Sequence, residues 1–571
     1  MTYSRKFCLA LLLNMATYTG VSLAAEPADI SLAVRQAAAG NKSALQQLQQ
    51  AANQGVASAQ FAMGLLCEQG RLVPQSDSSA VSWYQKAADQ GDARAQTNLG
   101  FMHANGKGVP RSYALARRWY EKAAEQGNIQ ALYSLGYFYE TAKGVEASDV
   151  SAARYYTAAA EGGYANAQYK LGIMYANGKG VAQNDDLALD WLQRAANQGL
   201  AVAQFGLGLM YAKGLGVTQD YVVAARWFQQ AAEQGNAQAQ ADLGAMYANG
   251  VLGNTDYATA ITWLQKAAAQ GNAQAQTNLG YMYANARGVP QNFTTALQLY
   301  QTAAEQDNAI AQYNLGTLYA YGQGVAQDYA IAVRWLGKSA QLGNSDAQTS
   351  LGYMAYYGQG RPQNYPLALS YFRQAADQGD MLAQYQLAYM YDHAQGTVAD
   401  SELAEHNYQK SARQGYAPAQ YNLGLMYAQG HGVKPDYLEA IRYYQMATKQ
   451  GHAMAQYQLG YIYANGMGVP ENISLALDYY IKSADQGNTA AFMSLASLYE
   501  QGEQIPQNTI AAYALYNAAA MTEAAPAHQA ADNRDKLGKQ LTTAQVNEAK
   551  ALTRSMLNAN IGLAKALQLG R

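Results

Sequence analysis

One 36-residue segment is typical of most of this 571-residue chain: residues 201–236 read AVAQFGLGLMYAKGLGVTQDYVVAARWFQQAAEQGN. Thirteen copies of this pattern follow one another from Ala57 to Ala524, without an insertion or a deletion. A fixed period of this length is typical of stacked repeat proteins. In such proteins each unit contacts only its neighbours, and stacking creates an extended surface that can hold a partner.

The first half of each copy predicts a helix with one buried side. Within each copy the positions are numbered 1 to 36, and position 1 falls on Ala57, Ala93, Ile129, Ala165, Ala201, Ala237, Ala273, Ala309, Ser345, Met381, Ala417, Ala453 and Thr489. Position 3 is Ala in all thirteen copies, position 7 is Leu in twelve, and position 8 is Gly in eleven. Positions 3, 4, 7, 8 and 11 share one side of a helix. Because glycine inside a helix costs roughly 1 kcal/mol relative to alanine, position 8 predicts the close approach of another helix.

The second half of each copy predicts a second helix. Position 24 is Ala in all thirteen copies, position 27 is usually aromatic, and position 28 is aromatic or Leu. A turn of the form G-x-G-V separates the halves in six copies, and six copies end in Q-G-N or Q-G-D, where the glycine is a helix stop signal. We expect the tryptophans to be packing residues, because all six lie at position 27: Trp83, Trp119, Trp191, Trp227, Trp263 and Trp335.

The two halves together resemble the Sel-1-like repeat family, a relative of the tetratricopeptide repeats. The resemblance rests on A-x-A-Q-x-x-L-G-x-M-Y-A-x-G-x-G-V followed by A-x-x-W-[YFL]-x-x-A-A-x-Q-G-[ND], which residues 204–212 and 226–235 match closely. It covers residues 57–524, and the chain is similar to secreted bacterial members. The family implies an all-α fold, an α/α superhelical solenoid of thirteen 36-residue helix–turn–helix repeats with terminal capping helices. Its use is mainly in protein–protein contacts, although a fold does not fix one activity.

The two ends of the chain leave the repeat pattern. Residues 1–25 are typical of a secretory signal peptide, with Arg5 and Lys6 before a short apolar run and a cleavage site after Ala24 or Ala25. The expected location is therefore the bacterial periplasm or the outside of the cell. Residues 26–56 predict N-terminal capping helices with a half-repeat, including a degenerate helix over residues 29–39. Residues 525–571 predict C-terminal capping helices, with a capping box at residues 542–545 that opens a helix through about Leu567.

Composition argues against several kinds of partner. Charged residues form only 14% of the chain, with 38 basic against 40 acidic side chains, so nothing indicates binding of nucleic acid. No stable membrane insertion is expected after signal cleavage. Cleavage would leave Cys67 as the one cysteine, at position 11, where we expect it to be buried. Some secreted family members have cysteine pairs in each repeat, and this chain departs from them.

No motif for catalysis is present, so we predict no enzyme activity, no cofactor and no metal. H-E-x-x-H, G-x-S-x-G, a P-loop and S-x-x-K are all missing. His103 occupies position 11, where a packed histidine is expected. The four histidines of copies 10 and 11 occupy different repeat positions, which argues against a shared metal site: His393, His406, His431 and His452.

Aromatic side chains recur at positions 5 and 9 of the first helix, away from the side that positions 3, 4, 7, 8 and 11 share. In tetratricopeptide relatives the corresponding positions face a ligand in a concave groove, so the resemblance implies a partner-binding face. The candidate residues are Tyr133, Tyr137, Tyr169, Phe205, Tyr281, Tyr313, Tyr353, Tyr385, Tyr389, Tyr421, Tyr457 and Tyr461, with Phe61 and Phe101 at the same positions of copies 1 and 2. The alternative is that the rings only pack first helices together. Asn at position 13 could bind an extended peptide or simply end its helix.

These observations favour an exported, non-enzymatic scaffold that binds a protein or peptide partner in its groove. One alternative is a secreted factor that contacts a host protein, such as an immunoglobulin. Glycan binding is another alternative, because exposed tyrosine rings also stack on sugars. A β-lactamase-like hydrolase, suggested by cysteine-rich relatives, is the least favoured alternative, because the S-x-x-K nucleophile arrangement is missing.

Overall fold

The structure is a computed structural model that describes residues 41–522, 527–557 and 563–569, together with residues 32, 33 and 36. Every regular element among these residues is a helix, and each of the thirteen copies forms two of them. The predicted all-α solenoid of helix–turn–helix repeats is therefore confirmed. The signal peptide of residues 1–25 and most of the helix expected at residues 29–39 lie outside the described residues.

Each repeat begins with a helix that covers its positions 1 to 12 or 13. The first helices of repeats 1 to 13 are Ala57–Gln69, Ala93–Asn105, Ile129–Thr141, Ala165–Asn177, Ala201–Lys213, Ala237–Ala248, Ala273–Ala284, Ala309–Tyr321, Ser345–Tyr357, Met381–Asp392, Ala417–Gln429, Ala453–Asn465 and Thr489–Gln501. The second helices are Asp77–Asp89, Tyr113–Glu125, Asp149–Glu161, Asp185–Asn197, Tyr221–Glu233, Tyr257–Ala269, Phe293–Ala304, Tyr329–Gln341, Tyr365–Asp377, Ser401–Arg413, Tyr437–Thr448, Ile473–Ala484 and Thr509–Ala520.

The helices group into two compact units, residues 1–275 and 276–571, and the division falls within the first helix of repeat 7. In each unit the two helices of a repeat lie side by side, and the second helix also packs on the first helix of the following repeat. The first unit includes a helix before repeat 1, Lys42–Asn53. The second unit includes three helices after repeat 13: Ala527–Gly538, Thr543–Met556 and Leu563–Leu569.

A side-chain cap starts the second helix of every repeat. Position 20 is Ser, Asn or Asp in all thirteen copies, and its oxygen accepts a hydrogen bond from the backbone N–H at position 23. This contact satisfies one of the N–H groups that a helix start leaves unpaired. The first helices mostly end at a glycine with positive φ, such as Gly106 at 68°, as the turn pattern predicts. The position-20 cap is a repeat signal that the sequence analysis missed.

Glycine at position 8 allows the two helices of a repeat to touch. A Cβ atom on Gly208 would lie 2.6 Å from the ring of Phe228 at position 28, and one on Gly64 would lie 2.5 Å from Tyr84. Carbon atoms cannot approach so closely without displacement, and both rings are buried. The close approach of another helix that position 8 predicts is therefore confirmed, and the neighbour is the second helix of the same repeat.

A buried glutamine at position 4 joins many of the repeats to the one before. Gln240 donates from Nε2 to the carbonyl oxygen of Ala232, at position 32 of the preceding repeat, over 2.9 Å. Its Oε1 accepts a hydrogen bond of 2.8 Å from Gln270, at position 34 of its own repeat. Both bonds recur in several other repeats, including those of Gln168, Gln348, Gln384 and Gln420. We call this arrangement the glutamine clasp.

The glutamine clasp is incomplete or missing in several repeats. Repeats 3 and 13 have no glutamine at either position 4 or position 34. Repeat 8 keeps Gln312 but carries Leu342 at position 34, and Gln312 Oε1 is buried with no hydrogen-bond partner among the described residues. Leu342 is an exposed apolar side chain. The missing donor in repeat 8 is a local defect of an otherwise regular stack.

The tryptophans at position 27 lie at the edge of the core. They are half-buried, and several of them pack against the buried clusters. In five repeats a Lys or Arg at position 30 lies over the ring at 4.2 to 4.6 Å from its centroid, a cation–π arrangement. The predicted packing role is confirmed, but these rings also face the solvent. Cys67 is buried in the core between repeats 1 and 2, as predicted.

The last helices differ from the sequence prediction. Thr542 and Gln545 form the expected capping box, but the helix ends at Met556 instead of continuing to about Leu567, so this predicted end is wrong. A separate helix begins at Leu563, whose N–H donates to the Asp485 carboxylate at 2.7 Å. This carboxylate follows the second helix of repeat 12, so a tertiary contact provides the new helix start.

We expect Gly208→Ala to destabilise the chain. The added methyl group would press on the buried ring of Phe228, and such overpacking typically costs about 1–3 kcal/mol. Gly206→Ala in the same helix is the matched control, because its Cβ would lie 3.5 Å from Leu192, an ordinary contact. The control substitution should leave the free energy of unfolding unchanged or raise it by up to about 1 kcal/mol. Urea unfolding followed by circular dichroism measures both, and equal midpoints would contradict the close contact.

We expect Leu342→Gln to stabilise repeat 8. The new amide would donate to Gln312 Oε1, which contributes about 0.5–1.5 kcal/mol for one hydrogen bond. Leu342→Glu is the control, since a carboxylate of the same length has no donor and should not stabilise the chain. The midpoint of urea unfolding distinguishes the two variants. If both variants raise it equally, removal of the exposed leucine, and not the glutamine clasp, is responsible.

Candidate partner-binding face

The aromatic rings at position 5 pack within their own repeat. Each of six rings lies against the ring at position 28 of the second helix, with centroids 5.5 to 6.0 Å apart: Phe61, Tyr133, Phe205, Tyr385, Tyr421 and Tyr457. Phe61 is buried and the other five are half-buried. The alternative weighed from the sequence, packing between first helices, therefore misses the main contact. Burial raises the pKa of the Tyr133 hydroxyl to about 12.

The hydroxyl of a position-5 tyrosine meets the next repeat. Asn422 donates to the Tyr385 hydroxyl at 3.5 Å. The Tyr313 and Tyr421 hydroxyls lie near the side chains of Ser350 and Gln458, which lower their pKa values in opposition to burial. In all three pairs the partner is the polar residue at position 6 of the following repeat. In these three cases the ring packs within one repeat and the hydroxyl lies against the next. Tyr169 and Tyr313 are also half-buried, above Leu192 and Leu336 at position 28.

The rings at position 9 are more exposed than those at position 5. Tyr137, Tyr281 and Tyr461 expose 37, 47 and 42% of their surface, and Phe101 exposes 42%. Tyr353 and Tyr389 are half-buried, because Tyr353 lies edge-on against Phe372 at 5.1 Å. Position 9 is therefore the position whose rings remain available for contact, and their binding role stays a prediction.

Asparagine at position 13 ends its own helix. Asn105, Asn177, Asn285 and Asn465 each donate to the carbonyl oxygen four residues earlier, over 2.7 to 2.9 Å. The simpler of the two explanations weighed from the sequence is confirmed. These side chains are therefore engaged with their own backbone.

A cavity interrupts the face in the first unit. Its volume is about 190 Å³, and its walls come from repeats 1 to 3: Leu65, Glu68, Gln69, Thr97, Asn98, Phe101, Tyr120, Gln130, Tyr133, Ser134 and Tyr164. Most of these residues occupy positions 2, 5, 6, 9, 12 and 13 of first helices, on the side predicted to meet a partner. The sequence analysis missed the cavity, whose signal is a small residue, Thr97, at position 5 opposite the large Tyr120 at position 28.

Two histidines meet a carboxylate in the second unit. The Nδ1 atoms of His393 and His431 lie 3.6 and 3.2 Å from the Asp392 carboxylate, a proximity that their different repeat positions did not suggest. Within the described ranges, no group of three His, Cys, Asp or Glu side chains is arranged to hold a metal ion. His103 is half-buried at position 11, and burial lowers its pKa. The described helices also include none that is long and apolar enough to cross a membrane.

His452 caps the first helix of repeat 12. Its Nδ1 accepts a hydrogen bond of 3.3 Å from the backbone N–H of Ala455, and its ring stacks on Tyr421 with centroids 4.8 Å apart. Only a neutral imidazole can accept this bond. Desolvation by burial lowers the pKa of His452, which agrees with a neutral cap.

Comparison with known proteins identifies the repeats. A family model described as the Sel1 repeat matches residues 57–92, 93–128, 129–164, 165–200, 201–236, 237–272, 273–308, 309–344, 345–380, 382–416, 417–452, 453–488 and 491–521. No curated protein shows a significant match to the chain.

Two solved structures are similar to the chain at the same level of sequence identity. One is a protective antigen present in uropathogenic Escherichia coli strains that displays an SLR fold; it is 32% identical, with 86% of this chain and 97% of that chain covered and a TM-score of 0.62. The other is a Sel1 repeat protein from Oxalobacter formigenes, which is also 32% identical, with 61% of this chain and 99% of that chain covered and a TM-score of 0.43.

We expect His452→Asn to reduce the loss of stability at mildly acidic pH. Because folding lowers the His452 pKa from its usual 6.5, its cap is fully present above that value and is lost as pH falls below it. Loss of a cap costs about 1 kcal/mol, and asparagine caps the same helix in other repeats without titrating. Urea midpoints at pH 7.5 and 5.5 should differ less in the variant. His406→Asn, at an exposed site, is the control and should behave as the natural chain.

Proposed function

Because the chain belongs to the Sel1 repeat family, whose solenoids typically serve as scaffolds for protein–protein interaction, we propose that it is an exported, non-enzymatic scaffold that binds a protein or peptide partner. The partner would lie along the first helices, in contact with the rings at position 9. The observation that carries this proposal is that Tyr137, Tyr281 and Tyr461 are 37 to 47% exposed at position 9, whereas the rings at position 5 are buried or half-buried.

Tyrosine is well suited to this role. An exposed ring offers a large apolar contact area and a hydroxyl, while only two torsions must be fixed on binding. Protein interfaces concentrate their binding energy in a few such aromatic residues. The chain is poor in charged residues, so contact area and hydrogen bonds are expected to outweigh electrostatic steering.

Export is the second part of the proposal. It is supported by the sequence of residues 1–25, in which two basic residues precede an apolar run and Ala24 and Ala25 offer a cleavage site. Cell fractionation followed by N-terminal sequencing of the exported chain tests it. An N-terminus at Ala25 or Glu26 is expected, and an intact Met1 in the cytoplasm would contradict export.

A role outside the bacterial cell is a narrower candidate. The 32% identical protein that covers most of this chain is described as a protective antigen of uropathogenic strains, and an antigen must be accessible to a host. Accessibility of the chain to protease or antibody on intact cells tests this role. Retention of the whole protein in the periplasm would contradict direct contact with a host protein.

We expect Tyr137→Ala and Tyr461→Ala to weaken binding without unfolding the chain. Truncation of a central aromatic contact typically costs about 2 kcal/mol or more of binding free energy, and exposed rings contribute little to folding. A crosslinking pull-down first identifies the partner, and calorimetric titration then measures each variant. Tyr457→Ala should instead lower the melting temperature, because its half-buried ring packs on Tyr480.

Tyr221→Ala is the matched control for this experiment. Tyr221 is 41% exposed but begins the second helix of repeat 5, away from the proposed face. Its truncation should leave both binding and melting unchanged. Equal weakening of binding by Tyr221→Ala would contradict the proposed face. A protein that binds glycans on an array but captures no protein partner would contradict the proposed class of partner.

A further inference from the structure

The cavity of repeats 1 to 3 lies where a ring is missing from the row at position 5. Repeat 2 carries Thr97 there, while both neighbouring repeats carry a ring, Phe61 and Tyr133. Tyr120, at position 28 of repeat 2, is one wall of the cavity of about 190 Å³. We call this cavity the repeat-2 slot.

Other repeats of the same chain show which group fits such a slot. In repeats 1 and 3 the ring at position 5 lies 5.9 and 5.5 Å from the ring at position 28. Repeat 9 also has a threonine at position 5, and there Tyr353 from position 9 lies against the ring of Phe372. In repeat 2 the position-9 ring is Phe101, which is 42% exposed and borders the slot. The floor of the slot therefore has the geometry that accepts an aromatic ring elsewhere.

The slot also retains the partner for a phenolic hydroxyl. Three position-5 tyrosines place their hydroxyl beside position 6 of the following repeat, as Tyr385 does beside Asn422. The equivalent residue for repeat 2 is Ser134, which lines the slot. Ser134 donates to the carbonyl oxygen of Gln130 over 2.8 Å, and it lies near enough to the Tyr120 hydroxyl to affect the pKa of that group. A serine oxygen has two acceptor lone pairs, so one further donor can be accommodated.

The size of the slot agrees with a single ring. An apolar cavity of about 150 Å³ holds a benzene molecule, so about 190 Å³ is sufficient for a phenol. Leu65, Phe101 and Tyr133 supply apolar walls, and the side chains of Glu68 and Asn98 add polar groups. The walls are therefore suited to an aromatic side chain that carries one hydroxyl.

We propose that the repeat-2 slot binds a tyrosine side chain of the partner, with its ring on Tyr120 and its hydroxyl on Ser134. The proposal rests on the proposed function, because it places one anchor of the protein partner. In repeat 2 the partner's ring takes the place that the chain's own position-5 rings occupy in the neighbouring repeats.

The test uses p-cresol, the side chain of tyrosine, as a probe of the purified chain. Saturation-transfer NMR titrations measure its affinity, with toluene as the matched probe that lacks the hydroxyl. We expect p-cresol to bind about fivefold more tightly than toluene, the ratio that one net hydrogen bond supplies. Affinities that are equal, or higher for toluene, would contradict the hydroxyl site.

Two substitutions at one residue locate the probe. Thr97→Tyr places in the slot the residue that six other repeats carry at position 5, so folding should be retained and p-cresol affinity should fall at least about tenfold. Thr97→Val keeps the volume of threonine, and its p-cresol affinity should stay within about twofold of the natural chain. Circular dichroism confirms that both variants are folded. A folded Thr97→Tyr variant that binds p-cresol as well as the natural chain overturns the proposal.

Ser134→Ala tests the hydroxyl contact separately and keeps the test valid if Thr97→Tyr does not fold. It should bring p-cresol down to the affinity of toluene, while toluene binding is unchanged. Equal losses for both probes would mean that Ser134 only supports the wall, which contradicts the proposed contact. These measurements need no partner. If the probes fail while the captured partner still depends on Tyr137 and Tyr461, the slot is wrong and the proposed function stands.

Discussion

Every repeat depends on the contact between position 8 of its first helix and position 28 of its second. Where position 8 is glycine, the helices approach until a ring or leucine covers the glycine backbone, as Phe228 covers Gly208. The same side chain at position 28 then supports the ring at position 5, as Tyr156 supports Tyr133. One steric constraint thus sets the separation of the two helices and the placement of the position-5 ring on the proposed binding face.

The glutamine clasp fixes how a repeat aligns with the repeat before it. Apolar contacts between small alanine-rich helices tolerate sliding, whereas a buried amide must find its donor and acceptor. Gln240 can satisfy both only when the preceding repeat places the Ala232 carbonyl oxygen within reach. Repeats 3 and 13 lack glutamine at both positions, so neither has a buried position-4 amide that lost its partner at position 34. Repeat 8 retains one half, and Gln312 has a buried oxygen that no described residue pairs.

Against this constant frame, the proposed face varies from repeat to repeat. Position 5 carries a ring in eight repeats and Thr, Ala or Met in the other five. Position 9 is exposed in some repeats and packed against the second helix in others, as Tyr353 is against Phe372. A frame that does not change lets single substitutions alter the face without disturbing the stack. Thr97 is such a substitution, since it removes a ring but leaves Tyr120 and Ser134 in place beneath it. Partner selectivity would then be set by which rings the chain supplies and which it leaves to the partner.

The 36-residue period was enough to predict the helix pairs, the close approach at position 8 and the burial of Cys67, because these follow from local spacing and residue size. It also predicted that positions 5 and 9 carry the aromatic rings of the face. It favoured position 9 over position 5 for partner contact, but it could not give the burial of either, because both point away from the same side of the helix and burial depends on the neighbouring helix. The meeting of His393 and His431 at Asp392, the helix start at Leu563 and the slot beside Thr97 all require residues distant in the chain. Such features depend on how repeats pack against one another, and spacing along a sequence does not record that packing.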